Sequence, residues 1–141
     1  MHYKQTHAAF FLSPFGGVGG GFYRRLLMGK LIDDFNGYRE KMNEKILAAD
    51  NKVMKRIYSV DTLTYQDGAL SARTKEMLGL ATSMVLRCDD CVKYHLGKCH
   101  ELGVTTAEVF EIFSVANLVG GTIVIPHTRR AVEYWEELME Q

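Results

Sequence analysis

At 141 residues, with 47% apolar and 24% charged residues, the chain has the size and composition of one soluble globular domain. Seventeen basic and seventeen acidic residues give a formal net charge of zero, which argues against a nucleic-acid-binding protein. Ala8–Leu12 is too short for the core of a signal peptide, and no apolar run is long enough to span a bilayer. We therefore expect a cytoplasmic protein with no membrane attachment.

The N-terminal residues are rich in glycine, with five glycines in the six positions from Gly16 to Gly21. Such a run is unsuited to helix or strand interiors and is typical of a flexible arm. A phosphate-binding loop would need a preceding strand and a following Gly-Lys-Ser/Thr, and neither is present. The sequence therefore predicts an arm over residues 1–21 and a single helical domain over residues 22–141.

From Phe22 onward the apolar residues recur at helical spacing, and alternating strand patterns are absent. Ser71 is the predicted N-cap of one helix, Gly103 is a predicted helix stop, and Thr105 with Glu108 forms a predicted capping box. Pro126 lies near the start of the last helix, since proline is favoured in a first turn. These signals predict an all-α domain of about five or six helices. The last helix should bury Ala131, Tyr134, Trp135 and Leu138.

The residues with most chemical potential are Cys88, Cys91, His95 and Cys99, which project within a sector of roughly 80° if the segment is one helix. A zinc site is one interpretation, since these residue types form a legitimate tetrahedral set. On a helix, however, Cys88 and Cys99 would lie roughly 16 Å apart, too far for one ion. A second interpretation treats the cysteines as small buried hydrophobes, and Cys99 alone is expected in the core.

The third interpretation is a redox dithiol formed by Cys88 and Cys91. Two cysteines three positions apart at the start of a helix can close a disulfide, and the backbone N–H groups there favour a thiolate. An imidazole one turn further on, at His95, can accept the thiol proton. In a reducing compartment a close cysteine pair is more often catalytic or metal-binding than structural.

Glu76 precedes Cys88 by twelve positions, which completes the pattern Glu-x11-Cys-x2-Cys-x3-His. This pattern resembles the active-site signature of alkylhydroperoxidase-D-like proteins in the carboxymuconolactone decarboxylase family. The likeness extends over about residues 60 to 138. It implies a thiol peroxidase without a bound cofactor or metal, in which Cys91 attacks a small hydroperoxide, Cys88 resolves the sulfenic acid, and His95 with Glu76 relays protons.

The resemblance also implies partners. Family members are typically homo-trimers or homo-hexamers, and the best studied are recharged by lipoyl dithiols, so a lipoyl or thioredoxin-like dithiol donor is expected here. The chain departs from those members at Asp90, where they carry a second histidine. A carboxylate beside a thiolate opposes its formation, although Asp89 or Asp90 could instead cap the helix.

Other functions remain open at this point. The lactone decarboxylase branch of the family does not use thiol chemistry, so the cysteine pair would be idle in it. A non-enzymatic oligomeric scaffold with vestigial cysteines is the third class, and thiol titration before and after peroxide treatment would separate it from an enzyme. His127 could line the pocket, or it could be an exposed or capping residue.

Glu76 can reach the cysteines only if the chain turns back on itself. Within one straight helix it would lie about 18 Å from Cys88. A break between Arg87 and Asp90 would allow the next helix to cross the first, and Cys88-Asp89-Asp90 is good N-cap sequence. The alternative is a surface glutamate paired with Arg73 or another basic residue.

Overall fold

Residues 29–141 are the part of the chain that the computed structural model describes, and they form six α-helices and one 3₁₀ turn. The all-α class and the expected number of helices are thus confirmed for these residues, while the predicted arm over residues 1–21 lies outside them. The helices are α1 (Lys30–Ala48), α2 (Lys52–Thr64), α3 (Ala72–Leu86), α4 (Asp89–Glu101), α5 (Thr106–Gly120) and α6 (Ile125–Met139), with the 3₁₀ turn at Thr122–Val124.

The predicted helix boundaries are found where local capping chemistry is strong. The Ser71 side chain accepts a hydrogen bond from the Thr74 N–H at the start of α3. At α5 the Thr105 side chain accepts from the Glu108 N–H while the Glu108 carboxylate accepts from the Thr105 N–H, which is a complete capping box. Gly103 follows α4 with a φ of 68°, a left-handed conformation that glycine adopts without steric cost.

One boundary was not expected, because no glycine marks it. The helical pattern through Ile46 and Val53 is divided between α1 and α2, where Asp50 takes a left-handed φ of 54°. Asn51 then caps α2, its side-chain oxygen accepting from the N–H groups of Val53 and Met54. Asparagine and aspartate tolerate such turns because their short polar side chains bond to nearby backbone.

The core is formed mainly where α3, α4, α5 and α6 pack together. The last helix buries the four residues expected of it, and the Trp135 Nε1–H donates to Thr106 Oγ1 at 3.0 Å. Helix α1 joins this core through Ile32 and through Phe35, whose ring meets Tyr134 edge-on. The buried hydrophobic residues of the other core helices are Leu80 and Met84 in α3, Val92, Leu96 and Cys99 in α4, and Val109, Ile112, Phe113 and Ala116 in α5.

The turn between α3 and α4 places the two neighbouring cysteines at the start of α4. Arg87 ends α3 in a left-handed conformation (φ 60°, ψ 35°), and the Cys88 N–H bonds back to the Ser83 carbonyl at 3.1 Å. Helix α4 begins at Asp89 and folds back against α3. The predicted break between Arg87 and Asp90 is therefore confirmed. Among the described residues, no helix has the length and hydropathy needed to cross a bilayer.

Candidate active site

The two neighbouring cysteines lie at the beginning of α4 and are joined by a disulfide. Cys88 is the N-cap residue, and its Sγ accepts a long hydrogen bond of 3.4 Å from the Cys91 N–H. The Cα atoms are 5.3 Å apart, within the usual range for a disulfide. Cys88 is half-buried and Cys91 is exposed, so Cys91 is the sulfur that a molecule from solvent reaches more readily. Because Cys88 caps the helix, the alternative in which Asp89 or Asp90 caps it is wrong.

Glu76 and His95 form a buried pair behind this turn. His95 Nδ1 lies 2.7 Å from Glu76 Oε2, and the two residues are 7% and 4% exposed. The interpretation of Glu76 as a surface partner of Arg73 is wrong, since the Arg73 guanidinium donates to the Glu108 carboxylate instead. A carboxylate on Nδ1 fixes the orientation of the imidazole and leaves Nε2 as its other hydrogen-bonding atom.

Three residues that the sequence analysis did not single out hold the imidazole in place. The rings of Tyr65 and Tyr94 each lie 5.2 Å from the His95 ring, centroid to centroid. Gly79 lies beneath it, because a Cβ at that position would come within 2.6 Å of His95 Cε1. An isolated glycine in a helix interior is a weak signal of close packing, and Gly37 and Gly97 carry the same signal with no atom near an added Cβ, so the sequence could not single out Gly79.

Burial raises the pKa of both tyrosines, and the negative charge of Glu76 adds to the effect in each. Both side chains therefore remain neutral phenols, and their hydroxyl groups can still donate a hydrogen bond.

A cavity of about 340 Å³ opens beside the cysteine turn, and both Cys91 and His95 line it. Aromatic and apolar side chains make up much of its wall, and the guanidinium of Arg39 lies 4.3 Å from the centre of the Tyr94 ring. Helix α1 supplies half of the lining, although α1 carries no residue of the predicted site. Besides Cys91, His95, Arg39 and Tyr94, the residues that line the cavity are Phe35, Tyr38, Met42, Asn43, Asp61 and Asp90.

The two aspartates of the turn have different surroundings. Asp90 is exposed and lines the cavity, with Lys93 Nζ 3.9 Å from its carboxylate. Asp89 binds α6: its carboxylate lies 2.6 Å from His127 Nδ1 and accepts from Arg130 Nε at 2.9 Å. Burial alone would raise the pKa of Asp89, but the bonds from His127 and Arg130 outweigh it and lower that pKa. His127 is thus neither exposed nor part of the cavity wall; it ties α6 to the start of α4.

Cys99 does not belong to this site. It is fully buried in the core, as expected, and burial raises the pKa of its thiol to about 12. It lies two helical turns beyond Cys91, and the Cys88 and Cys91 sulfurs are bonded to each other. Over residues 29–141, no three His, Cys, Asp or Glu side chains are grouped as metal ligands.

The fold and the site together define a class of protein: a helical domain with a Cys-x-x-Cys disulfide at a helix start and a buried glutamate–histidine pair behind it. Residues 51–134 match the sequence profile of the carboxymuconolactone decarboxylase family. The chain belongs to this family and is one of its alkylhydroperoxidase-D-like members, which confirms the resemblance found in the sequence.

Solved structures extend this relationship. A Thermotoga maritima protein of known crystal structure is 46% identical in sequence to this chain. The two structures are similar with a TM-score of 0.75, over 77% of this chain and 95% of the Thermotoga chain. A second crystal structure of that protein has a TM-score of 0.73. In it the protein is described as a carboxymuconolactone decarboxylase family member for which a role in the antioxidative response is suggested. A family protein from Legionella pneumophila, 24% identical over 81% of this chain and 95% of its own, shares the fold with a TM-score of 0.58.

Two curated relatives are uncharacterized proteins. One, from Cupriavidus necator, is 29% identical over 73 residues, which are 52% of this chain and 65% of the relative. The other is encoded in the cox locus of Paracoccus denitrificans and is 25% identical over 80 residues, 57% of this chain and 72% of its own. The chain thus spans just under two thirds of the Cupriavidus protein.

Proposed function

We propose that this protein is a thiol-dependent oxidoreductase that reduces small hydroperoxides with Cys91 and Cys88, assisted by His95 and Glu76. One observation carries the proposal. Cys91, which is exposed and bonded to Cys88, lines the same cavity as His95, and the Nδ1 atom of His95 is hydrogen-bonded to the buried carboxylate of Glu76. A nucleophilic thiol, a base within one helical turn and a residue orienting the base are the parts that such chemistry requires.

The first step oxidises Cys91. In the reduced protein, Nε2 of His95 accepts the proton of the Cys91 thiol, and Glu76 stabilises the resulting imidazolium through Nδ1. The thiolate attacks one oxygen of the hydroperoxide, the O–O bond breaks, and the departing alkoxide takes the proton from His95 and leaves as an alcohol. Cys91 becomes a sulfenic acid, having lost two electrons to the peroxide.

The second step forms the disulfide. The Cys88 thiolate attacks the Cys91 sulfur, an S–S bond replaces the S–O bond, and hydroxide leaves and is protonated to water. A Cα separation of 5.3 Å lets the two sulfurs meet without movement of the helix. An external dithiol, lipoyl or thioredoxin-like, then reduces the pair and is itself oxidised to a disulfide.

Two further observations support the proposal. The Thermotoga maritima protein, for which an antioxidative role has been suggested, is 46% identical to this chain. The cavity is also large enough for a hydroperoxide with a small organic group, and its phenyl and phenol rings offer apolar contacts. Asp90 acts in the opposite direction: its carboxylate, beside Cys91, would slow formation of the Cys91 thiolate, since like charges repel.

We also propose that copies of the chain associate into a trimer or hexamer. Several large apolar side chains of α3 and α5 are exposed, including Leu86, Leu118 and Val119, and water contact with a patch of this kind is unfavourable. Light scattering coupled to size exclusion would measure the mass in solution, and a monomeric mass would contradict this part of the proposal.

Peroxide consumption tests the function directly. The reduced protein is mixed with cumene hydroperoxide or hydrogen peroxide and a dithiol donor (dihydrolipoamide or reduced thioredoxin), and loss of peroxide is followed. Cys91→Ser should abolish turnover, and Cys88→Ser should stop it after one sulfenic acid forms. Cys99→Ala is the matched control and should retain activity, because its sulfur lies in the core. Equal activity of wild type and Cys91→Ser would refute the proposal.

The proton relay is tested separately. Glu76→Gln and His95→Gln should each raise the apparent pKa of Cys91, measured from the pH dependence of its alkylation by iodoacetamide. The double variant should be little worse than either single one, because groups that act as a unit are not additive. An unchanged alkylation profile in Glu76→Gln would remove Glu76 from the relay.

A further inference from the structure

Tyr65 makes a second contact on the imidazole, opposite to that of Glu76. Its hydroxyl oxygen lies 3.5 Å from His95 Nε2, while Glu76 Oε2 lies 2.7 Å from Nδ1. The two nitrogens of one ring thus face a carboxylate from α3 and a phenol from the segment that follows α2. Tyr65 comes from an element that the motif Glu-x11-Cys-x2-Cys-x3-His does not include.

A phenol can serve both protonation states of this nitrogen. When His95 is neutral and Nδ1–H donates to Glu76, Nε2 is an acceptor and the Tyr65 O–H can donate to it. When Nε2 is protonated it becomes a donor, and the Tyr65 oxygen can accept from it. The second bond is charge-assisted and about twice as strong as the first, so the tyrosine favours the protonated ring.

The packing holds the two side chains together. A Cβ at position 79 would lie 2.6 Å from His95 Cε1 and 2.8 Å from the Tyr65 hydroxyl oxygen, so both side chains rest on the same bare stretch of α3. The titratable groups that surround this contact come from α1, α2, α3 and α4, and they are Arg39, Asp61, Glu76, Cys91, Tyr94 and Lys98.

We infer that Tyr65 is a positioning residue of the site, which stabilises the protonated His95 through Nε2 and thereby favours the Cys91 thiolate. This inference rests on the proposed role of His95 as acceptor of the Cys91 proton. The step involves only the transfer of one proton from the Cys91 sulfur to Nε2, with no change in oxidation state. His95 and Cys91 are four residues apart on α4, which places their side chains on one face of the helix.

The test is the pH dependence of Cys91 alkylation in the fully reduced protein, followed by mass spectrometry of the peptide that carries Cys91. Tyr65→Phe should raise the midpoint of that profile and slow alkylation near neutral pH by about three- to tenfold, the effect of one lost hydrogen bond. Tyr58→Phe is the matched control: it also removes a hydrogen-bonded hydroxyl, from a tyrosine that bonds to Asn43, and its midpoint should equal that of the wild type.

A purely structural role of Tyr65 would lower the melting temperature but leave the midpoint unchanged, and that result would overturn the inference. Circular dichroism and thermal unfolding of both variants identify such a case. If Tyr65→Phe is poorly folded, 3-fluorotyrosine at position 65 keeps the ring and the hydroxyl but makes the phenol oxygen a weaker acceptor; it should raise the midpoint, and an unchanged midpoint would contradict the inference. Because alkylation needs no peroxide, a protein without peroxidase activity could still show the shift, so the two proposals fail separately.

Discussion

Replacing Gly79 by alanine should damage the site and reduce stability, although alanine is the better helix former. The added methyl carbon would lie 2.6 and 2.8 Å from His95 Cε1 and Nδ1, and 2.8 Å from the Tyr65 hydroxyl oxygen. These distances are well inside van der Waals contact, so neighbouring atoms must move. The imidazole is hydrogen-bonded to Glu76 and packed against two tyrosine rings, so it has little room to move.

The expected change in the free energy of unfolding is the balance of two opposing effects. An alanine in place of a helix-interior glycine stabilises a protein by about 0.5–1 kcal/mol, because the unfolded chain loses less entropy on folding. Forcing a methyl group into a packed interior costs about 1–3 kcal/mol. Gly97→Ala in α4 is the matched control, because a Cβ there meets no atom within 4 Å. The helix-propensity gain is common to both variants, so Gly79→Ala should be less stable than Gly97→Ala by about 1–3 kcal/mol.

Urea denaturation followed by circular dichroism measures the two free energies of unfolding, and Cys91 alkylation in the reduced proteins reports on the site. We expect Gly97→Ala to be slightly more stable than the wild type, with an unchanged alkylation profile. Gly79→Ala should be less stable than Gly97→Ala. Its Cys91 should be alkylated more slowly near neutral pH, because the displaced His95 ring loses its hydrogen bond to Glu76. Equal stability of the two variants, with equal alkylation, would refute the reasoning that Gly79 supports His95.

Three further predictions follow from other parts of the structure. Cys99 should resist alkylation in the folded, reduced protein near pH 8 and react only after unfolding, because burial raises its pKa to about 12; labelling as fast as that of Cys91 would contradict this. The hydrogen bond from Arg73 and those from Thr105 lower the pKa of Glu108 to about 2, from 4.5, so it stabilises the fold above pH 4.5 and loses that contribution as the pH falls towards 2. Glu108→Gln should flatten the pH dependence of the melting temperature in that interval, and an unaltered curve would show that the bond matters little. Asp89→Asn should lower the free energy of unfolding in dilute buffer by less than about 1 kcal/mol, and the difference should shrink at about 1 M salt, because a partly exposed ion pair is screened; a loss that does not depend on salt would contradict this.

Local sequence signals determined most of the helix boundaries. The caps at Ser71 and Thr105 and the stop at Gly103 depend on hydrogen bonds between residues at most five positions apart, so the sequence alone contains them. The turn at Asp50 was missed, because a left-handed aspartate has no signal as strong as that of glycine.

The cysteine pair and the chain break before α4 could also be predicted from the sequence. Spacing alone indicated that Cys88 and Cys91 could pair and that the chain must break near Arg87 if Glu76 is to meet His95. Both features follow from helical geometry over a few residues, and the structure has both. Which of Cys88, Asp89 and Asp90 would cap α4 could not be decided, since all three can accept a bond from the helix start.

The surroundings of His95 were decided only by the tertiary structure. Tyr65 lies thirty positions before His95, and α1, which lines the cavity, lies more than forty positions before Cys91. Nothing in the spacing of these residues connects them, because contacts between separate helices depend on how the helices cross and not on their separation along the chain. The sequence by itself therefore determined the helical class, the family signature and the cysteine pair, all of which depend on short-range periodicity. The packing of α1, α3 and α4 decided which side chains hold the histidine and which line the cavity, because only the folded chain brings those helices together.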